Sequence, residues 1–515
     1  MDKMIALSVC TLVSLHAMPP DLITRQLGGM RGVVIGAASK EVAKNGEGST
    51  ILLKDGTLLH LFTRHMRPLQ NPEKYENSDL WPAIIAAIRS TDKGLTWSEP
   101  TVLFRSTTGE NVMQPSLARL ANGEIGVSYS RIDSYSAATK VFRWSGDEGR
   151  TWSEEVLISP AGGYWTSAHD RMIVLGSGRV LLPLHHKKSI RPEHLVTQVA
   201  YSDDNGRSWK LAPQQLDVAD VVPGFRKTRP GAQGFWEASI APVADGSLFM
   251  LGRTYGGWLY QTRSRDEGLT WDQPRPSRLM SSAAPGRVER IPGTDNLLVV
   301  WNSCCLNDTD GLLGSRLTLS SAVSTDNGET WKWQREIESV APGRGHRVEY
   351  PAISIYEGLV YLTYRAQVGL GAWEIQMQQY LSILPISWFT AVGDVHRPWL
   401  AFFREQAAVF DAEKISSAID SLPAKPPTNR VIIDQRGHAV KVARVQKGNG
   451  PLVVQNDEER VFYILNGSGT LRLGAEDAQR EEKMLPGSVI SIPRGMPYQI
   501  IAADTDVSFL VVAVR

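Results

Sequence analysis

Five eight-residue segments, at residues 90–97, 145–152, 202–209, 264–271 and 324–331, share one pattern. Each opens on Ser, carries Asp in third place, Gly in fifth and Ser or Thr in seventh, and ends on Trp. The box aspartates are Asp92, Asp147, Asp204, Asp266 and Asp326, separated in turn by 55, 57, 62 and 60 residues. A pattern recurring at so constant a period marks a repeat architecture in which each copy is one supersecondary unit. At about 150 residues per domain the 515 residues would otherwise suggest several unrelated domains. The repeat also explains a composition with 15 Trp and 45 Gly.

The chemistry of the box is that of a hairpin turn. Asp accepts hydrogen bonds from N–H groups of its own turn, Gly supplies positive φ, and the Ser/Thr hydroxyls close the loop. Trp then begins the next strand and packs between neighbouring sheets. Apolar and polar residues alternate around the turns, as over 49–53 and 56–62. A second class of turn recurs at Asp55-Gly56, Asn122-Gly123, Ser177-Gly178 and Asp245-Gly246. Each unit therefore reads as strand, Gly turn, strand, strand, box, strand.

These boxes resemble the Asp-box (bacterial neuraminidase) repeat of the sialidase superfamily. The resemblance covers residues 30–390 and implies an all-β fold, a six-bladed β-propeller, with the propeller domain set at 30–395. Radial repetition of four-stranded sheets is one way to protect sheet edges. Five blades carry a box, residues 346–380 supply a sixth without one, and a strand at 33–35 is expected to pair with that last blade and close the ring. In the family the boxes lie on the rim, which makes their aspartates structural.

In such a fold the first strand of each blade lines a central channel. Just upstream of each first turn stand Glu47, Gln114, His169-Asp170-Arg171, Trp236-Glu237, Arg287 with Glu289, and Glu349-Tyr350. Polar groups at one phase of six units are either a functional ring or a solvated channel mouth. Sialidases similar to this chain use an arginine triad for the substrate carboxylate, a Tyr nucleophile activated by a Glu, and an Asp acid/base. The resemblance puts Tyr350 in the nucleophile's place, Glu237 in that of its activating carboxylate, and Arg253 and Arg287 in those of the second and third arginines. Glu47 stands roughly where the first arginine is expected, and Arg64 is a further candidate for substrate binding. Gln114, His169 and Arg171 complete the expected binding ring. Asp170 is the favoured acid/base and Asp79 its alternative.

After residue 380 the composition changes. Residues 411–422 have helical spacing with Asp411 as N-cap, inside a linker expected over 396–429. Residues 430–515 resemble the two motifs of a cupin-like β-barrel, with turn residues Gly467, Gly487, Pro493 and Gly495 in place. Metal-binding cupins use histidines and a carboxylate; the corresponding places here hold Val454, Asn456, Arg460 and Tyr498. Val has no donor atom and Arg is cationic, so no metal and no other cofactor is expected. The module reads as a dimerisation or sugar-binding element.

A net charge of +1, from 55 basic and 54 acidic residues, argues against a dedicated nucleic-acid binder. Three cysteines cannot form a disulfide framework or a four-thiolate zinc site. Residues 4–17 have the length of a signal-peptide core and are too short to span a bilayer. Asp2 cancels Lys3 there, and Leu15 stands where a small residue is wanted before a cut after Ala17. Export and a cytoplasmic location therefore stay equally open for the N-terminal segment 1–29. The expected activity is that of an exo-glycosidase, sialidase-like, on terminal and acidic sugars of glycans. Two alternatives stand beside it: a non-catalytic carbohydrate-binding propeller, and a lyase or other glycosidase using His169 or His185 with Tyr350.

Overall fold

The computed structural model describes residues 32–68, 74, 77–218, 233–303, 316–340, 346–367, 375–390, 429–435, 438–454, 459–474, 480–486, 488–492, 495–502 and 505–514. The expected helix at 411–422, Asn456, Gly487, Pro493 and the segment 1–29 lie outside them. The chain forms two compact units, Met1–Phe403 and Arg404–Arg515. No helix among the described residues is long and apolar enough to cross a membrane.

The first unit is built of antiparallel strands in six successive groups. Val42–Leu52, Leu58–Met66, Ala83–Ser90 and Thr101–Phe104 form the first group. Asn111–Arg119, Ile125–Ser134, Ala137–Ser145 and Val156–Leu157 form the second, joined to the first by one parallel pairing of Ala83 with Asn111. The third centres on Val180–Ser189, His194–Ser202 and Lys210–Leu216. Four strands each make the fourth (Trp236–Pro242, Leu248–Arg253, Trp258–Ser264, Arg275–Met280) and the fifth (Arg287–Arg290, Leu297–Asn302, Thr318–Ser324, Lys332–Ser339). The sixth orders Arg347–Tyr356, Leu359–Gln367 and Gln378–Pro385, and Val33–Gly36 from the start of the chain pairs with its last strand, as expected.

Strand alternation explains how these groups stack. Successive side chains point to opposite faces, so Leu59 and Leu61 join Val112, Val127 and Tyr129 of the second group, while Leu58 and Phe62 join Tyr361, Leu381 and Ile383 of the sixth. Likewise Leu248 and Met250 face the third group, whereas Phe249 and Leu251 face the fifth. With both faces buried, a second strand such as Leu297–Asn302 is apolar at nearly every position. Six apolar clusters result, each shared by two neighbouring groups, and one of them joins the sixth group to the first. Backbone bonds reinforce that last contact: Asn45 N donates to Met377 O, and Met377 N to Ala43 O, each at 2.9 Å.

The boxes are turns of the expected chemistry. Asp326 Oδ1 accepts from Thr330 N at 2.8 Å and from Ser324 Oγ at 2.7 Å, and Gly328 N donates to Ser324 Oγ at 2.7 Å. Gly328 has φ +92°, and a Cβ on it would lie 2.6 Å from Phe249 in the preceding group. Each box thus locks its own hairpin and presses against the group before it.

The second unit contains two sheets. One orders Asn429–Gln435, His438–Val445, Val507–Val514, Glu459–Asn466 and Val489–Ile492; the other orders Gly448–Val453, Tyr498–Ala502, Gly469–Leu473 and Arg480–Met484. Phe462, Ile464, Leu471, Met484, Ile500, Phe509 and Val511 form their common core. Gly467 sits at φ +82° with the Asp506 carbonyl 2.0 Å from where a Cβ would be. This turn tolerates no side chain.

Candidate active site around Tyr350

Five of the six ring positions share a backbone peculiarity invisible to composition. Glu47, Gln114, Asp170, Glu237 and Tyr350 have φ of +54°, +62°, +55°, +49° and +58°. At four of them the strand register slips, between Gly46/Ser49, Met113/Ser116, Trp236/Ser239 and Glu349/Ala352. A bulge re-aims a side chain. A non-glycine residue held left-handed costs on the order of 1–3 kcal/mol and persists only where its surroundings enforce it. The first strands carry this cost at matching positions, which is the pattern of a built site.

Two of these residues meet. The Tyr350 hydroxyl donates to Glu237 Oε1 at 3.0 Å. Arg253 Nη1 donates to Glu237 Oε2 at 2.6 Å and lies 3.4 Å from the Tyr350 oxygen. Burial pushes the Glu237 carboxyl up, but the Arg253 charge leads the influences that outweigh it and hold the group below its ordinary value. Burial, followed by the Glu237 charge, pushes the Tyr350 phenol up, while Arg253, Arg316 and Arg365 pull against the rise. His185 is held neutral, down at about 4, by burial.

Arg365 and Arg316 flank the Tyr350 ring, with guanidinium carbons 4.1 and 5.6 Å from its centroid. Arg365 Nε donates to Glu349 Oε1 at 2.9 Å and Nη1 to Glu47 Oε1 at 2.5 Å. Arg316 pairs with the other Glu349 oxygen and donates to the Ala283 carbonyl at 2.7 Å. Neither arginine was expected at the site. A signal for one existed: Arg253 pairs across the strand with Trp236, the residue before Glu237, and Arg365 pairs in the same way with Glu349, the residue before Tyr350.

Other expected residues stand elsewhere. Arg287, expected to clamp substrate, is buried and donates to Asp170 Oδ2 (2.9 Å), to Ser239 Oγ (3.1 Å) and to Glu289 (2.5 Å). Asp170, expected as acid/base, also accepts from Ser49 Oγ at 2.8 Å and from Ile353 N at 3.1 Å. Three groups of strands converge on this one carboxylate. Arg171 is likewise buried, donating to the carbonyls of His169 (3.0 Å) and Gly286 (3.1 Å). His169 Nε2 lies 3.1 Å from the Tyr350 carbonyl oxygen. Arg64 donates to Asn45 Oδ1 at 3.1 Å, and no bond joins it to Tyr350 or Glu237. Gln114 Oε1 accepts from Thr166 Oγ1 (2.5 Å) and Ser130 Oγ (3.2 Å).

Asp79 is different. Its side chain is 64% exposed and ion-paired with Lys44. Lys44 holds its carboxyl well below the usual range, and its charge acts on Glu47, His65 and Arg365. Of the two acid/base candidates, only Asp79 is open to an incoming group. In the second unit, Arg460 Nη1 bonds the Tyr498 hydroxyl at 2.5 Å and Val454 is exposed. A cation bonded to a phenol does not fit a metal.

The description "BNR repeat-like domain" belongs to a family model that matches residues 84–362. A sialidase of Paraclostridium sordellii is 23% identical over 315 residues, which are 55% of this chain and 73% of that protein. Among solved structures, a Dyadobacter fermentans protein of unknown function superposes with TM-score 0.54 at 19% identity, covering 68% of this chain and 98% of that one. The Trypanosoma rangeli sialidase in complex with sialic acid superposes with TM-score 0.50 at 12% identity, over 94% of this chain and 95% of that one. At such identities the structural likeness is one of fold.

Proposed function

This chain belongs to the BNR repeat-like family, and on that premise we propose that it is a sialidase-like exo-glycosidase working through a covalent glycosyl–tyrosine intermediate. The six strand groups are read as the blades of a propeller, with Tyr350 and Glu237 at one mouth of its channel. The observation that carries the reading is the 3.0 Å hydrogen bond from the Tyr350 hydroxyl to Glu237. A carboxylate held ionised by Arg253 can take the phenol proton as the Tyr350 oxygen attacks the anomeric carbon. The bond from that carbon to the aglycone oxygen breaks, and Asp79 supplies the proton the departing oxygen needs. Water then attacks the same carbon and gives its proton to Asp79. The Tyr350 oxygen leaves and recovers its proton from Glu237. Lys44 keeps Asp79 ionised in the free protein, so substrate binding must loosen that pair and the carboxylate must take up a proton from solvent before the acid role begins.

Release of free sugar from a panel of sialosides, uronides and neutral glycans tests the reading. Wild type should turn over one class, and Tyr350→Phe should lose on the order of 10²–10⁴ in kcat. Equal release by both would refute the nucleophile. A second reading, glycan binding without turnover, draws on Glu47: a carboxylate stands where the resemblance expects a carboxylate-binding arginine. Binding on a glycan array with no release from any substrate would favour it. The second unit is read as a metal-free cupin-like barrel for association or glycan affinity. One transition metal per chain in elemental analysis would overturn that.

A further inference from the structure

Arg365 is the most completely engaged arginine near Tyr350. Its Nε and Nη2 both lie 2.9 Å from Glu349 Oε1, and its Nη1 is 2.5 Å from Glu47 Oε1. Glu349, Glu47 and Arg365 are all buried. With its donors held by protein carboxylates, what the guanidinium offers the site is its flat face. The guanidinium carbon lies over the Tyr350 ring, 4.1 Å from the centroid. The chain makes room for the arrangement: a Cβ on Gly46 would lie 2.8 Å from the Arg365 side chain. Gly46 is not in the left-handed region, so the glycine there serves the passage of Arg365 and not a turn.

We propose that Arg365 is a positioning residue for Tyr350: clamped by Glu47 and Glu349, it holds the phenol ring and stabilises negative charge on its oxygen, and it does not bind substrate. The proposal rests on the reading of Tyr350 as nucleophile. The phenolate is formed in the attack and again as the tyrosine leaves, so a fixed cation over the ring favours both steps. Charged or titratable groups facing Tyr350 are Glu237, Arg253, Arg316, Arg365, His169, Arg171 and Tyr164. Of these, Arg365 stacks on the ring at the shortest distance.

The test compares Arg365→Met, Arg365→Lys and Gly46→Ala with wild type, with Tyr350→Phe as the spectroscopic blank. Because burial and Glu237 push the Tyr350 phenol up, a fluorinated tyrosine, whose phenol ionises well below that of tyrosine, is placed at position 350, and its phenolate absorption followed against pH reads the ionisation there with no need for turnover. In Arg365→Met the Tyr350 titration should move up by about one pH unit, and kcat should fall about tenfold with KM nearly unchanged. Lysine should restore part of the loss. Gly46→Ala, which displaces the guanidinium without removing it, should shift the titration in the same direction and keeps the test open if Arg365→Met does not fold. An unshifted titration in the folded variants, or a tenfold rise in KM at constant kcat, overturns the proposal. Absence of turnover in wild type would instead count against the glycosidase reading, and the titration would still decide the role of Arg365.

Discussion

Asp170→Asn separates a structural carboxylate from a catalytic one. Asp170 is 6% exposed and accepts from Ser49 Oγ, Arg287 Nε and Ile353 N, groups that come from the first, fifth and sixth strand groups. The asparagine keeps the shape and one acceptor oxygen. It presents an amide to one of these donors and leaves the buried Arg287 only Glu289 as counter-charge. Removing one partner of a buried ion pair costs about 3–5 kcal/mol. The remaining acceptor and Glu289 soften that, so about 3 kcal/mol is the expectation. For ~350 ordered residues, an unfolding entropy of about 2.1 cal/mol/K per residue converts this into a fall in Tm of about 4 °C. Calorimetry at pH 7 reads the shift, and kinetics on the folded variant read the activity. The variant should melt earlier and keep kcat within a few-fold of wild type. A variant that melts like wild type while losing more than a hundredfold in kcat would refute the structural role and return Asp170 to the chemistry.

Three further outcomes follow from the same geometry. Because Arg253 holds Glu237 below its ordinary value of 4.5, and because the base must be ionised to accept the phenol proton, the acid limb of kcat/KM should fall below pH 4.5; a limb well above it would exclude Glu237 as that base. Lys140 is buried, donates to the Gln114 carbonyl at 3.2 Å, and is pushed by burial from 10.5 down to about 7. The unfolded chain takes up this proton first, so stability falls as pH drops from 10.5 to about 7, by at most about 5 kcal/mol. Lys140→Met should therefore gain about 1–3 kcal/mol at pH 7 after losing its hydrogen bonds, with the gain vanishing above pH 10.5 in denaturant titrations; a loss at pH 7 would refute this. Asp326→Ala removes the acceptor for Ser324 and Thr330 within its own turn, and should cost about 1–2 kcal/mol in urea unfolding with kcat unchanged.

The repeat, the turn chemistry and the terminal strand pairing were legible in the chain because their causes are local or periodic. Asp92 bonds Thr96, four residues on, through its N–H at 2.9 Å, and every box repeats this geometry. The phase of the first strands also located Glu237 and Tyr350, which the fold brings to hydrogen-bond distance from 113 residues apart. Phase says that a side chain faces the channel. It does not say which charge the neighbouring strands will present to it. Arg287 stood at the right phase and met Asp170, 117 residues away, with which it is paired. Arg365 stood at the end of a strand and met Glu47, 318 residues away, and through that contact came to lie over Tyr350. The pattern of residues determined the strands and the ring of positions. Only the stacking of distant groups against one another decided which arginines face the phenol and which carboxylate is buried among its partners, because ion pairing is chosen by proximity in space.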